Sequence, residues 1–175
     1  MLYTSRFSNP ELKSGKYTAV RISLGAPKWP LGYEIAGAIN DLMPYGLLNI
    51  QSKDVYEHKY RERLDRVGID RIYRQIQAFD SGKPVVLLCY EDVRDPLQWC
   101  HRTMFAKWLL EKTGEIADEL PDPTTVKVKG STGVQKAKET RASAAVPAVP
   151  NKAEQRIKDR KAEQMQLSMF GNGRW

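Results

Sequence analysis

Residues 84–90, with the sequence PVVLLCY, constrain the fold of this chain more than any other stretch. Their side chains are almost all apolar, whereas a strand with one solvent-exposed face alternates apolar and polar residues. Strands covered on both faces occur mainly in parallel or mixed sheets that have a layer packed on each side. The stretch therefore predicts a central strand in an α/β fold: a three-layer arrangement of a mainly parallel or mixed sheet with flanking helices.

Weaker patterns predict the other strands and helices. Residues 2–7 and 17–24 are rich in β-forming residues and predict two strands, and residues 46–51 predict a third. Apolar residues at helical spacing, together with local start and stop signals, predict four helices. Their markers are Leu31, Ile35, Ile39 and Leu42; Ser52, Tyr56, Tyr60, Leu64, Val67 and Gly68; Ile69, Ile72, Tyr73, Ile76 and Phe79; and the stretch 100–114.

Charge divides the chain into an amino-terminal neutral part and a basic remainder. Residues 1–123 contain 17 Lys and Arg and 17 Asp and Glu, whereas residues 124–175 contain 11 and 4. We predict an α/β domain over 1–123, followed by a disordered basic extension. Within this extension, residues 124–150 are predicted to be a flexible linker and residues 151–175 a basic, partly helical tail. Its charge suits weak nucleic-acid contact, although the same charge is also typical of a segment that is only well solvated.

The sequence also predicts a cellular compartment. Its first residues lack the apolar stretch that a secretory signal contains, and no apolar run is long enough to span a membrane. The two cysteines, Cys89 and Cys100, are too few for a disulfide framework. We therefore expect a cytoplasmic protein with reduced thiols and no membrane partner.

The best candidate for chemistry lies where the apolar strand is followed by a helix start. Cys100, His101 and Arg102 open that helix, and Glu91 follows the strand directly. A helix amino terminus favours a thiolate, an imidazole can move a proton, and a guanidinium fork suits phosphate or carboxylate. The four residues predict a catalytic or ligand-binding pocket for an anion, with Cys100 as a possible nucleophile.

A purely structural role for these residues is the alternative. A cysteine often serves as a small buried apolar residue, and Arg102 has acidic neighbours with which it can pair. The spacing of Cys89, Cys100 and His101 matches no standard zinc pattern, and Cys89 in a covered strand is typical of the core. The sequence therefore predicts neither a metal nor a cofactor.

Several stretches together resemble one protein family. Residues 87–91, LLCYE, and residues 100–102, CHR, resemble the signature of the domain-of-unknown-function-488 family, whose strand ends in this way before Cys-His-Arg opens a helix. Residues 4–6 and 21–23 resemble its sheet edge, and the likeness covers about two-thirds of the chain. The resemblance implies an α/β fold with a pocket near Cys-His-Arg, but no settled reaction. Ser5, Arg6 and Arg21 become candidate ligand contacts, although ion pairs or a solvated edge explain them as well.

The carboxy-terminal tail contains a second resemblance. Gln166, Leu167, Ser168, Met169 and Phe170 resemble the motif by which bacterial proteins bind the DNA polymerase sliding clamp. Three of the side chains can form an apolar hook, and the Gln amide can hydrogen-bond at the rim of a pocket. Folding of the tail back onto the domain is the alternative.

Two functions follow as hypotheses. In the first, a clamp-tethered protein of DNA metabolism binds or processes a nucleotide or nucleic-acid base through the Cys-His-Arg site. In the second, the domain is a non-enzymatic interaction module that docks on the clamp to recruit a partner or to compete with polymerases.

Overall fold

A computed structural model describes residues 1–126, and these residues form a five-stranded parallel sheet with three α-helices. The strands are β1 (Leu2–Arg6), β2 (Thr18–Arg21), β3 (Gly37–Ala38), β4 (Val85–Cys89) and β5 (Ala117–Glu119). The helices are α1 (Lys53–Val67), α2 (Ile69–Gln77) and α3 (His101–Thr113), and two short 3-10 helices span Pro10–Ser14 and Asn40–Leu42. The strand order is β3-β2-β4-β1-β5 and every pairing is parallel, which confirms the predicted α/β class.

Strand β4 lies in the middle of the sheet, as its apolar sequence predicts. All five of its residues are buried, and the first four alternate between two apolar clusters on opposite faces. Val85 and Leu87 belong to the cluster that includes side chains from all three α-helices. Val86 and Leu88 belong to the other, which the first 3-10 helix and residues 31–35 cover. A strand buried on both faces has no place for polar residues, so the continuous apolar run is explained.

Local signals locate the α-helices correctly. Ser52 caps α1 by accepting a hydrogen bond from the Val55 N–H at 3.5 Å. Gly68 separates α1 from α2 with a φ of 83°, and Gly114 ends α3 with a φ of 75°, both in a region that only glycine enters without strain. The periodic apolar residues of these helices face the sheet, as predicted.

Two of the predicted elements are wrong. The helix expected from Leu31 to Leu42 is instead an irregular segment that contains β3 and the second 3-10 helix. Its apolar residues divide between the two faces of the sheet, with Leu31 and Ile35 in one cluster and Ile39 and Leu42 in the other. The strand expected over residues 46–51 is a turn, and β5 was not expected.

The predictions made for the tail lie outside the described residues. They include the partly helical segment 151–175, the linker beyond residue 126, and the motif Gln166–Phe170. Among the helices within residues 1–126, none has both the length and the apolar character needed to cross a membrane.

Candidate functional site

The candidate site lies at the carboxyl end of the central strand, where ligands bind in open α/β sheets. Cys89 is the last residue of β4, and Cys100 precedes α3 as its N-cap residue. The parallel pairing and the return of the chain into α3 bring the two cysteines and His101 together. The sulphurs and a ring nitrogen of His101 all lie within 4.8 Å of one another.

The His101 ring is held in one orientation. Its Nε2 lies 3.0 Å from the carbonyl oxygen of Ile22, and because a carbonyl only accepts, Nε2 is the donor. Nδ1 then faces the sulphur of Cys89 at 3.8 Å and that of Cys100 at 3.7 Å. The ring also packs edge-on against Tyr60, with ring centroids 5.4 Å apart. Backbone and aromatic contacts therefore fix the direction in which Nδ1 points.

The electrostatics of the site make its two thiols unequal. Burial opposes ionisation of the Cys100 thiol, but hydrogen bonds with Cys89 and His101 and the positive charges of His101 and Arg102 lower its pKa well below the usual value. The hydrogen bond with Cys100, together with burial, raises the pKa of Cys89. In the described domain the site thus favours one thiolate, on Cys100, beside a neutral thiol on Cys89.

Glu91 stands next to this cluster. Burial raises the pKa of its carboxyl group, and the nearby Cys100 charge raises it further. Its Oε2 atom is buried and has no hydrogen-bond partner within the described part of the chain. A buried acceptor without a partner is costly, and such atoms commonly mark a place where a ligand or water binds.

A cavity of about 290 Å³ opens above the cluster. Besides Glu91, Cys100 and His101, it is lined by Leu48, Ile50, Tyr56, Leu97, Gln98 and Trp99. The rings of Tyr56 and Trp99 meet edge to face with centroids 4.8 Å apart. The side chains of Leu48 and Leu97 are largely exposed, at 69% and 70%. The cavity therefore combines aromatic and other apolar residues with a few polar groups.

A second cavity, larger at about 640 Å³, lies near the amino ends of the strands. Thr18 and Lys83, which border β2 and β4 on that side, are among its lining residues. It contains none of the predicted site residues and no cysteine or histidine. The smaller cavity has the reactive groups and the position expected of a ligand site in this fold.

Arg102 is a structural residue in this geometry. Its side chain is completely buried, and its Nε and Nη2 atoms donate to the Glu119 carboxylate at 3.0 and 2.9 Å. Nη2 also donates to the backbone carbonyl of Glu91 at 2.7 Å. These bonds join α3 to β5 and to the loop after β4. Arg102 does not line the cavity, so its contacts do not support the predicted role of holding a ligand anion.

Ser5, Arg6 and Arg21 are also engaged away from the cavity. The Ser5 hydroxyl accepts a hydrogen bond from the Asn9 amide at 3.0 Å. Arg6 forms ion pairs with Asp122 at 2.7 Å and with Asp92 at 3.2 Å. The Arg21 guanidinium donates to backbone carbonyls of the following loop. The structure thus brings Cys100, His101 and Glu91 together and places Ser5, Arg6 and Arg21 in the frame around them.

Several cavity residues were not expected to belong to the site. The sequence predicts that Tyr56 belongs to a core-facing stripe of a helix and that Leu48 and Ile50 belong to a strand. Trp99 directly precedes Cys100, and this adjacency is the one signal in the sequence that points to it. The comparisons with protein-family models, curated proteins and solved structures give no match for this chain.

Proposed function

We propose that the described domain binds a nucleobase, either free or within a nucleic acid, in the cavity above Cys100 and His101. The observation that carries this proposal is the composition of the cavity wall. It combines the Tyr56 and Trp99 rings with the Glu91 carboxyl group and the Gln98 amide. Aromatic rings offer stacking surfaces to a flat heterocycle, and polar side chains can read its hydrogen-bonding edge.

The charge of the cavity favours a base over a phosphate group. Among the described residues that line it there is no Lys or Arg, and its one carboxyl group, on Glu91, would repel an anion if ionised. Arg102, which the sequence suggested for an anion contact, is paired with Glu119. The cavity volume of about 290 Å³ is enough for one heterocycle. The proposed ligand is therefore a base, whereas the hypothesis drawn from the sequence included nucleotides as well.

We further propose that the tail tethers this domain to the sliding clamp. The proposal depends on the likeness of Gln166–Phe170 to the clamp-binding motif, in a segment that carries excess positive charge. A flexible segment of the length of residues 124–165 has a root-mean-square span of about 35 Å. Such a tether would raise the local concentration of the domain at clamp-loaded DNA.

A specific observation favours the interaction-module alternative. Leu48 and Leu97 are exposed at the mouth of the cavity, and exposed apolar side chains next to a pocket are typical of protein-docking sites. In this alternative the cavity accepts an apolar side chain of a partner protein. Nucleosides would then fail to bind, which makes the two functions separable.

Calorimetric titration of the full chain with adenosine, cytidine, guanosine and thymidine tests the base-binding proposal. We expect one-to-one binding of at least one nucleoside, weakened by about 5-fold or more in Trp99→Leu because stacking contributes about 1–3 kcal/mol per base. Trp29→Leu is the matched control, since Trp29 is half exposed and lies outside the cavity. Equal affinities of the two variants, or no binding at millimolar nucleoside, would show that the cavity is not a base site.

Fluorescence polarisation of a labelled peptide of residues 164–175, titrated with a bacterial sliding clamp, tests the tether. A single short motif is expected to bind with a dissociation constant of about 1 μM, near −8 kcal/mol. Replacing Leu167 and Phe170 with Ala removes most of the apolar hook and is expected to abolish binding. A peptide that binds equally well after this double replacement contradicts the motif.

A further inference from the structure

We propose that Cys89, Cys100 and His101 form a site for one divalent cation of the zinc class. The sequence spacing argues against such a site, because standard zinc motifs do not place a Cys and a His next to each other in this way. The tertiary structure brings the third ligand from a different element, the end of β4. Cys89, assigned to the core from the sequence, thus becomes a candidate ligand.

The distances between the ligand atoms fit a tetrahedral ion. With Zn–S near 2.3 Å and Zn–N near 2.0–2.1 Å, a tetrahedral zinc ion separates a sulphur from a nitrogen ligand by about 3.6 Å. The two sulphur-to-Nδ1 distances are 3.8 Å for Cys89 and 3.7 Å for Cys100. Both agree with the ideal separation within a few tenths of an ångström. The two sulphurs lie within 4.8 Å of each other, and a tetrahedral zinc ion would hold them about 3.8 Å apart. Binding therefore needs at most about 1 Å of approach between the two sulphurs and little movement of the imidazole.

Contacts around the ligands support the same geometry. Histidines that bind a metal through one ring nitrogen usually donate from the other to a carbonyl or carboxylate, which fixes the ring and its tautomer. His101 has this arrangement, since Nε2 donates to the Ile22 carbonyl while Nδ1 faces the sulphurs. The ligands also come from a central strand and from the first turn of a helix, both rigid supports.

The donor set selects the kind of metal. Two sulphurs and an imidazole nitrogen suit zinc and other borderline or soft cations, whereas Mg²⁺ and Ca²⁺ require oxygen ligands. Two thiolates would balance the charge of a divalent ion, which matters because all three residues are at most 4% exposed. Sites with three protein ligands keep the fourth position for water or a bound ligand.

The fourth position would face the cavity. Cys100 and His101 line both the proposed metal site and the cavity, so the ion would lie at its floor. Glu91 lines the same wall, but its carboxylate is not among the three clustered ligands. The metal proposal does not depend on base binding, because the ligand distances alone define it.

Cobalt substitution of the full chain tests the proposal. The protein is reduced, freed of metal with a chelator, and titrated with Co²⁺ while its absorption spectrum is recorded. We expect one Co²⁺ per chain, thiolate-to-cobalt charge-transfer bands, and the visible spectrum of a tetrahedral ion, all abolished by an equimolar amount of Zn²⁺. A spectrum without thiolate bands, or a six-coordinate spectrum, would overturn the proposal. This outcome does not depend on the folding of any variant, because the chain tested is the unaltered one.

Matched variants identify the ligands. The chain contains two histidines, so His58→Gln is the control for His101→Gln: His58 is exposed on α1 and lies outside the cluster. Replacing a residue that hydrogen-bonds to a metal ligand typically lowers metal affinity 10–100-fold. Loss of a ligand itself, in His101→Gln, Cys89→Ser or Cys100→Ser, is therefore expected to lower zinc affinity by at least about 100-fold. Equal affinities of the two histidine variants would overturn the assignment. If a ligand variant does not fold, the cobalt spectrum of the unaltered chain decides.

Because neither experiment contains a nucleobase, its result is separate from that of the nucleoside titration. Cobalt binding without nucleoside binding supports the metal site and refutes the base-binding function. Nucleoside binding by a chain that does not bind cobalt supports the base-binding function and refutes the metal site.

Discussion

Replacing Arg102 with Met is expected to destabilise the domain strongly while leaving nucleoside affinity unchanged in the molecules that still fold. The guanidinium is fully buried and donates three hydrogen bonds, two to the Glu119 carboxylate and one to the Glu91 carbonyl. The contacts join α3, β5 and the loop that carries Glu91. They contribute to folding, and although one of them holds the backbone of the cavity residue Glu91, the Arg102 side chain itself does not line the cavity.

The size of the effect follows from these contacts. Breaking a buried ion pair by removing one partner costs about 3–5 kcal/mol, because the remaining charge stays buried. The Glu119 side chain is 30% exposed and can regain part of its hydration. Arg102 Nη1 has no hydrogen-bond partner among the described residues, so removing this atom relieves an existing penalty. Both effects favour the lower end of the range, and we expect a loss of about 3 kcal/mol.

Urea unfolding at neutral pH, followed by far-ultraviolet circular dichroism, measures this loss. Arg71→Met is the matched control: the Arg71 side chain is 61% exposed and pairs with Asp41 at 2.6 Å, so about 1 kcal/mol or less is expected. A loss of less than about 1 kcal/mol in Arg102→Met, together with far weaker nucleoside binding, would contradict a purely structural role for Arg102. That result would return Arg102 to the ligand-holding role suggested by the sequence.

Two further predictions concern the frame of the domain. Gly37→Ala is expected to cost about 1–3 kcal/mol in urea unfolding, because the added Cβ would lie 2.5 Å from the Phe79 ring. Gly25→Ala is the control and is expected to be neutral, because its Cβ would have its nearest neighbour at 3.8 Å. An equal loss of stability in the two variants would exclude the clash as the cause. Asp92 accepts three hydrogen bonds from Arg94, two from its side chain and one from its backbone N–H, and these bonds lower the pKa of the Asp92 carboxyl group from 3.8 to about 2. Its stabilising contribution is therefore present above about pH 4 and lost as the pH falls towards 2; Asp92→Asn should flatten this part of an acid-unfolding curve, and an unchanged curve would contradict it.

The accuracy of the sequence predictions depends on how local the relevant forces are. Helix α1 begins at Ser52 and ends at Gly68 because a side-chain cap and a positive φ act within a few residues. The continuous apolar sequence of β4 likewise predicts its position in the middle of the sheet. In both cases the physical cause lies within the segment itself.

Segment 31–42 shows where such patterns are ambiguous. Leu31, Ile35, Ile39 and Leu42 have helical spacing, yet two pack on one face of the sheet and two on the other. The segment crosses the sheet edge at β3, and spacing along the chain contains no information about that crossing. Strand β5 was missed because its three residues carry no apolar pattern and pair only with β1.

The candidate site divides in the same way. From the sequence it follows that Glu91 comes just after a buried strand and that Cys100 and His101 stand at the start of a helix, and therefore that all three lie near the carboxyl edge of the sheet. The sequence does not reveal that Cys89 faces Cys100 and His101, that Arg102 pairs with Glu119, or that Tyr56 and Trp99 line the cavity. The reason is that strand and helix signals act over a few residues, whereas these contacts join elements that are distant in the chain and become neighbours only when the parallel sheet assembles.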